Sequence, residues 1–139
     1  QNTGRACHQL GRSAEEQGHL SEAEDYYKRA IEIFKISGDS TASARTYGQL
    51  GNLKRECGKM TEAEDNYKRA LEIFEDCGDH YIAAKTYRNL GILAQARGSI
   101  KEAKSNYHRA IEIFQEIGDH RGISFLRSEL ASLPMEVSS

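Results

Sequence analysis

Apolar residues recur along this chain at helical spacing, and the pattern itself repeats. In TEAEDNYKRALEIFEDC, Ala63, Tyr67, Ala70, Leu71 and Phe74 fall at i, i+4, i+7, i+8 and i+11, one stripe of an amphipathic helix. Before it, Tyr47, Leu50, Gly51 and Leu53 form a second, weaker stripe. The same pair of stripes stands 40 residues earlier and 40 later. Leu10-Gly11, Leu50-Gly51 and Leu90-Gly91 fall in register, as do Tyr27, Tyr67 and Tyr107, and Phe34, Phe74 and Phe114. A fixed period of this length signals stacked supersecondary units, each unable to bury its apolar face alone.

Each unit reads as two helices, A then B. The A helices are expected over 2–17, 41–57 and 80–97, and the B helices over 21–37, 61–77 and 101–117. Gly18, Gly58 and Gly98 sit between A and B where a left-handed cap belongs. Ser21–Glu24 and Thr61–Glu64 have the form of a capping box that opens helix B, and in the third unit the box shifts to Ser99–Glu102. Gly-Asp at 38–39, 78–79 and 118–119 supplies a C-cap followed directly by an N-cap. Gly51 on helix A should face Ala63 and Ala70 on helix B, so a larger side chain there would overpack the pair by roughly 1–3 kcal/mol.

These residues resemble the tetratricopeptide repeat family. The aromatic-x-x-Leu-Gly run from Tyr47 to Gly51, followed by Ala63, Tyr67 and Ala70, matches its signature of large and small places. The resemblance covers residues 4–118 in three copies, with a partial fourth to about 133. The family's usual period is about 34 residues; the 40-residue unit ending in Gly-Asp is similar to the subclass in Pins-type polarity adaptors and to kinesin light chains. Cys7 stands where Tyr47 and Tyr87 stand, so the first unit should pack less tightly. The expected fold is an all-α solenoid of three helix hairpins plus a capping helix at 120–133, which carries Ile123, Leu126, Leu130 and Leu133 and stops before Pro134. The repeats fall at about 1–39, 40–79 and 80–119, forming one domain over 1–133 with a tail at 134–139. The chain starts at Gln1 without a preceding Gly-Asp, as a piece cut from a longer array would.

Composition adds two limits. The net charge is −2 and no apolar run is long enough to cross a bilayer, so neither nucleic acid nor membrane is the expected partner. Three cysteines without a CxxC pair fit a reducing, cytoplasmic setting. Chemistry adds little. No phosphate-binding loop, HExxH or GxSxG occurs. Glu32, Glu72 and Glu112 recur with the repeat as a solvated face. His8, His19, His80, His108 and His120 read as structural, and Cys57 with Cys77 makes a poor zinc site. The chain is expected to be no enzyme and to need no cofactor or metal.

Charge patterning says more. The A helices are net basic and the B helices net acidic. In stacked hairpins of the resembled family the A helices line the inner surface, which implies a basic concave groove. Along it Arg5, Gln9, Arg12 and Glu16 are repeated by Arg45, Gln49, Asn52 and Glu56, then by Lys85 and Asn89, with Arg55 and Arg88 beside them. Arginine forks pair with carboxylates, and Asn or Gln can pair with an extended backbone. Pins-type adaptors use Asn on either side of Leu-Gly, plus Arg. Here Asn89 and Asn52 match, Gln9 and Gln49 nearly match, and Arg12 and Ile92 depart. The carboxylate clamp of chaperone-binding members fits worse: Lys85 matches, but His8, Arg12 and Asn89 do not.

The sequence therefore predicts a non-catalytic protein-interaction scaffold that binds an acidic, extended peptide in its groove. The alternative is a structural spacer or self-association block of a longer array, associating through the open N-terminal end.

Overall fold

A computed structural model describes residues 3–134. They form seven α-helices and, among the described residues, no strand. The helices are α1 (Gly4–Glu16), α2 (Leu20–Ser37), α3 (Ser40–Glu56), α4 (Met60–Cys77), α5 (His80–Ala96), α6 (Ile100–Ile117) and α7 (His120–Ser132). They pair as A and B helices as the stripes predict, with ends within two residues of expectation. The expected tail after Pro134 lies outside the described residues. By contacts the chain divides into two compact units, residues 1–73 and residues 74–139.

Glycine sets the breaks. Gly18 turns left-handed at φ 80°, its N–H donates to the Glu15 carbonyl, and the His19 N–H donates to the Ala14 carbonyl. These bonds satisfy carbonyls that the end of α1 would otherwise orphan. Between hairpins Gly38 repeats the turn, and the carboxylate of Asp39 then accepts from the Ala42 N–H at 3.1 Å, capping α3. Asp79 and Asp119 cap α5 and α7 in the same way.

The capping boxes expected at α2 and α6 form no side-chain cap bond. α2 begins one residue before Ser21, and His19 at its N-cap makes no side-chain bond. Ser99 is the N-cap of α6 but likewise makes none. The preceding glycine turn already hands the chain into the helix one residue early, which leaves Glu24 available for a different partner.

In unit 1 the hairpin α1–α2 closes where a Cβ on Gly11 would lie 2.6 Å from the ring of Tyr27. In α3–α4 a Cβ on Gly51 would lie 2.7 Å from the Tyr67 ring. The small residue thus faces the aromatic ring itself, and both rings are fully buried. Cys7 is also fully enclosed. In unit 2, Gly91 meets Tyr107 in the same manner. There Ala94, Tyr107, Phe114, Ile123, Leu126 and Leu133 belong to one apolar cluster that fixes α7 on α6, with Leu130 packed against it. Leu133 is extended, as a residue before proline prefers, and α7 ends there.

Candidate functional site

α1 and α3 carry seven of the ten expected groove residues, all within unit 1. Arg5, Gln9 and Arg12 on α1 and Arg45 on α3 are exposed, while Gln49, Asn52 and Arg55 are half-buried. A cleft of about 480 Å³ gathers Arg5, His8, Gln9, Arg12 and Arg45 with Phe34, Asp39 and Ala42. Asp39 is its one carboxylate, and that group is already engaged in capping α3.

His8, read from sequence as structural, helps to shape this cleft. Its Nδ1 lies 2.8 Å from the Thr46 hydroxyl. Thr46 gives its only proton to the Ala42 carbonyl at 2.9 Å, so His8 Nδ1–H must be the donor and Nε2 keeps its lone pair. Burial, then the charges of Arg12 and Arg45, push the His8 pKa below its ordinary 6.5. The imidazole is neutral at neutral pH, and the cleft owes its positive charge to the arginines.

A second recess of about 310 Å³ lies farther along the same two helices, lined by Arg12, Glu15, Glu16, Gln49 and Glu56. Around these two recesses the charge therefore changes sign, with arginines toward the starts of α1 and α3 and the carboxylates of Glu15, Glu16 and Glu56 toward their ends. Glu15 accepts from the Tyr27 hydroxyl at 2.7 Å. Burial, then this bond and the charge of Glu15, raise the Tyr27 pKa.

Two expected peptide contacts are already committed. The Asn52 carboxamide accepts from the Tyr67 hydroxyl and donates to Gln49 at 3.2 Å. Aligning the units explains why. The residue that meets the tyrosine hydroxyl is Glu15 in the first hairpin and Gln95 in the third, where Tyr107 donates to it at 2.9 Å. Arg55 holds that place in the second and cannot accept, so Tyr67 turns to Asn52. One guanidinium nitrogen of Arg55 is left enclosed without a hydrogen-bond partner.

On unit 2, Lys85, Arg88 and Asn89 are half-buried on α5. The Lys85 ammonium sits 5.3 Å over the Tyr81 ring, and the Arg88 guanidinium 5.4 Å over that of Phe125 on α7. Phe125 occupies the repeat place of Arg5, Arg45 and Lys85. Sequence reading also missed Lys54, nearly buried, which binds Glu24 of α2 at 2.9 Å and Glu62 of α4 at 3.4 Å. The signal was present: Lys54 stands in a column that is otherwise alanine, at Ala14 and Ala94.

Among the described residues, no group of three or more His, Cys, Asp or Glu could hold a metal ion. None of their helices is long and apolar enough to cross a membrane.

In sequence, residues 42–116 match one model described as Tetratricopeptide repeat, and residues 4–35 match another of the same description. No curated protein matches the chain. Among solved structures it is similar to Aspartyl phosphate phosphatase F from Bacillus subtilis, with TM-score 0.84 and 16% identity, covering 89% of this chain and 32% of that one. The N-terminal domain of stress-induced protein-1 from C. elegans gives 0.75 at 22% identity, covering 93% and 94%. BtubC (BKLC) from P. vanneervenii gives 0.72 at 18%, covering 98% and 68%. At these identities the likeness is one of fold. The chain spans about a third of the length of the phosphatase.

Proposed function

The chain belongs to the tetratricopeptide repeat family, and on that premise we propose that it is a non-catalytic protein-interaction scaffold whose A helices bind an extended acidic segment of a partner. The observation that carries this reading is the cleft between α1 and α3. Three guanidiniums line it, and no ion pair occupies any of them among the described residues. Cations left unpaired around a recess are poised for carboxylates, because guanidinium forks bond them in pairs.

In this reading Arg5, Gln9, Arg12 and Arg45 contact the ligand directly. Gln49 lines the adjoining recess and is held by Asn52, with Arg55 next along α3. Lys85, Arg88 and Asn89 give α5 a patch of related chemistry on unit 2. The 40-residue spacing with Gly-Asp ends supports placement beside the Pins-type adaptors and kinesin light chains, an adaptor role and a cytoplasmic setting, with residues 1–133 as the interaction domain.

The test is the affinity of a short, unstructured glutamate-rich peptide. Arg45→Glu should weaken it by about ten- to a hundredfold, the worth of a hydrogen bond between charged groups. Lys68→Glu, on α4 and paired with Glu64, should leave it unchanged. Equal losses for both variants would refute the assignment of the face.

A further inference from the structure

The two recesses between α1 and α3 are of opposite character and share Arg12. The first is lined from the starts of both helices and the second from their ends, so α1 and α3 run in the same direction beside one furrow. Arg5 to Glu16 and Arg45 to Glu56 each cover three helical turns, about 16 Å along the axis. An extended peptide covers that distance in about five residues.

We propose that this furrow is a ruler for a bipolar segment: an extended peptide with a carboxylate over Arg5 and Arg45 and a Lys or Arg about five residues away over Glu16 and Glu56. The inference rests on the peptide-binding reading above and narrows its ligand. A wholly acidic segment long enough to fill the furrow would lay its far end against Glu15, Glu16 and Glu56. Like charges set together at an interface discriminate strongly against a partner.

Of these three carboxylates Glu15 is bonded to Tyr27. Glu16 and Glu56 are exposed and make no ion pair among the described residues. The only cation lining their recess is Arg12, at the end shared with the cationic cleft. His8, neutral and bonded to Thr46, adds no charge at the cationic end, so the arginines alone read the carboxylate there.

Four blocked hexapeptides test this, titrated into the isotope-labelled chain and followed by amide shifts. Glu-Ser-Gly-Ser-Gly-Lys and its reversed sequence carry opposite charges five residues apart. Ser-Gly-Glu-Ser-Lys-Gly has the same composition with the charges two apart, and Glu-Ser-Gly-Ser-Gly-Glu is acidic at both ends. One of the two spaced bipolar peptides should bind about two- to fivefold tighter than either control, the scale of an exposed ion pair. The double variant Glu16→Lys/Glu56→Lys keeps its helix ends, since cations suit a helix C-terminus, and should invert the order in favour of the doubly acidic peptide. If the doubly acidic peptide binds tightest to the native chain, and still fails on Arg45→Glu, the ruler is overturned while the acidic-peptide reading stands. If no peptide depends on Arg45, both fall.

Discussion

The two units are built from one repeating phrase, yet they treat charge in opposite ways. Unit 1 buries an ammonium: Lys54 is clasped by Glu24 and Glu62, with Lys28 also on Glu24 at 2.7 Å. Unit 2 puts Ala94 in that column, inside an apolar cluster. On the A-helix faces the contrast reverses. Arg5, Arg12 and Arg45 of unit 1 stand around an open cleft, whereas Lys85 and Arg88 of unit 2 lie over aromatic rings. The backbone comes from what the repeats share. The chemistry comes from the columns where they differ.

The shared part gives the largest effect. Gly51→Leu in unit 1 and Gly91→Leu in unit 2 should each cost about 3 kcal/mol, since a Cβ already collides with a fully buried ring. Gly48→Ala should instead gain about 0.5–1 kcal/mol, because nothing lies within 4 Å of its added Cβ and helix propensity improves. Urea unfolding measures all three; equal costs at Gly48 and Gly51 would break the assignment of faces.

Removing the buried cation comes next. Lys54→Ala should cost about 2 kcal/mol, less than for a fully buried pair because Glu24 reaches water. Lys28→Ala, at an exposed end of the same cluster, should stay within about 0.5 kcal/mol. A double-mutant cycle of Lys54 with Glu24 isolates the pair, and a coupling near zero would remove this difference between the units.

The tyrosine hydroxyls sharpen the comparison further. Tyr27 donates to a carboxylate and Tyr107 to a carboxamide. Tyr27→Phe should therefore cost about 1.5 kcal/mol and Tyr107→Phe about 1, as bonds to charged acceptors are the stronger. Burial, against the lowering charges of Arg55 and Arg88, raises the Tyr67 and Tyr107 pKa values to about 12, so both phenols stay protonated through pH 10 in an absorbance titration.

The smallest effect is that of pH on unit 1. Bonds from Lys28 and then Lys54 hold the Glu24 pKa below its ordinary 4.5. Burial and the adjacent arginines hold His8 below 6.5. Both groups bind fewer protons folded than unfolded, so their stabilisation is complete above the ordinary values. It is lost as pH falls, first below 6.5 for His8 and then below 4.5 for Glu24. Burial opposes the charge on Lys54, but Glu24 and then Glu62 keep its pKa above the ordinary lysine value, so its contribution is lost only in strong alkali. Hydrogen exchange at pH 4 should show α1–α3 losing more protection than α5–α6. Equal loss would count against this electrostatic asymmetry.

Glycine, aspartate and aromatic positions made the helices legible, because each acts on the backbone within a residue or two. The left-handed turns at Gly18 and Gly38 and the cap at Asp39 follow from local chemistry. The capping box at Ser21 misled because the turn at Gly18 had already started α2 one residue earlier. The face of the site was legible in its charges, but the occupancy of its members was not. Asn52 looked open to a ligand, and only the contact between α3 and α4 commits it to Tyr67. Its cause, Arg55 standing where Glu15 and Gln95 accept, becomes readable once the hydroxyl partner of one tyrosine is known. Lys54 escaped for a similar reason, since its partners lie on α2 and α4, and Phe125 over Arg88 needed the docking of α7.

The most direct test of the binding face is an amide-shift map of the isotope-labelled chain titrated with the glutamate-rich peptide at low and high salt. Shifts are expected along α1 and α3 around Arg5, His8, Arg12 and Arg45, shrinking as salt screens the arginines. Shifts confined to α2 and α4, or unchanged by salt, would contradict the assigned face.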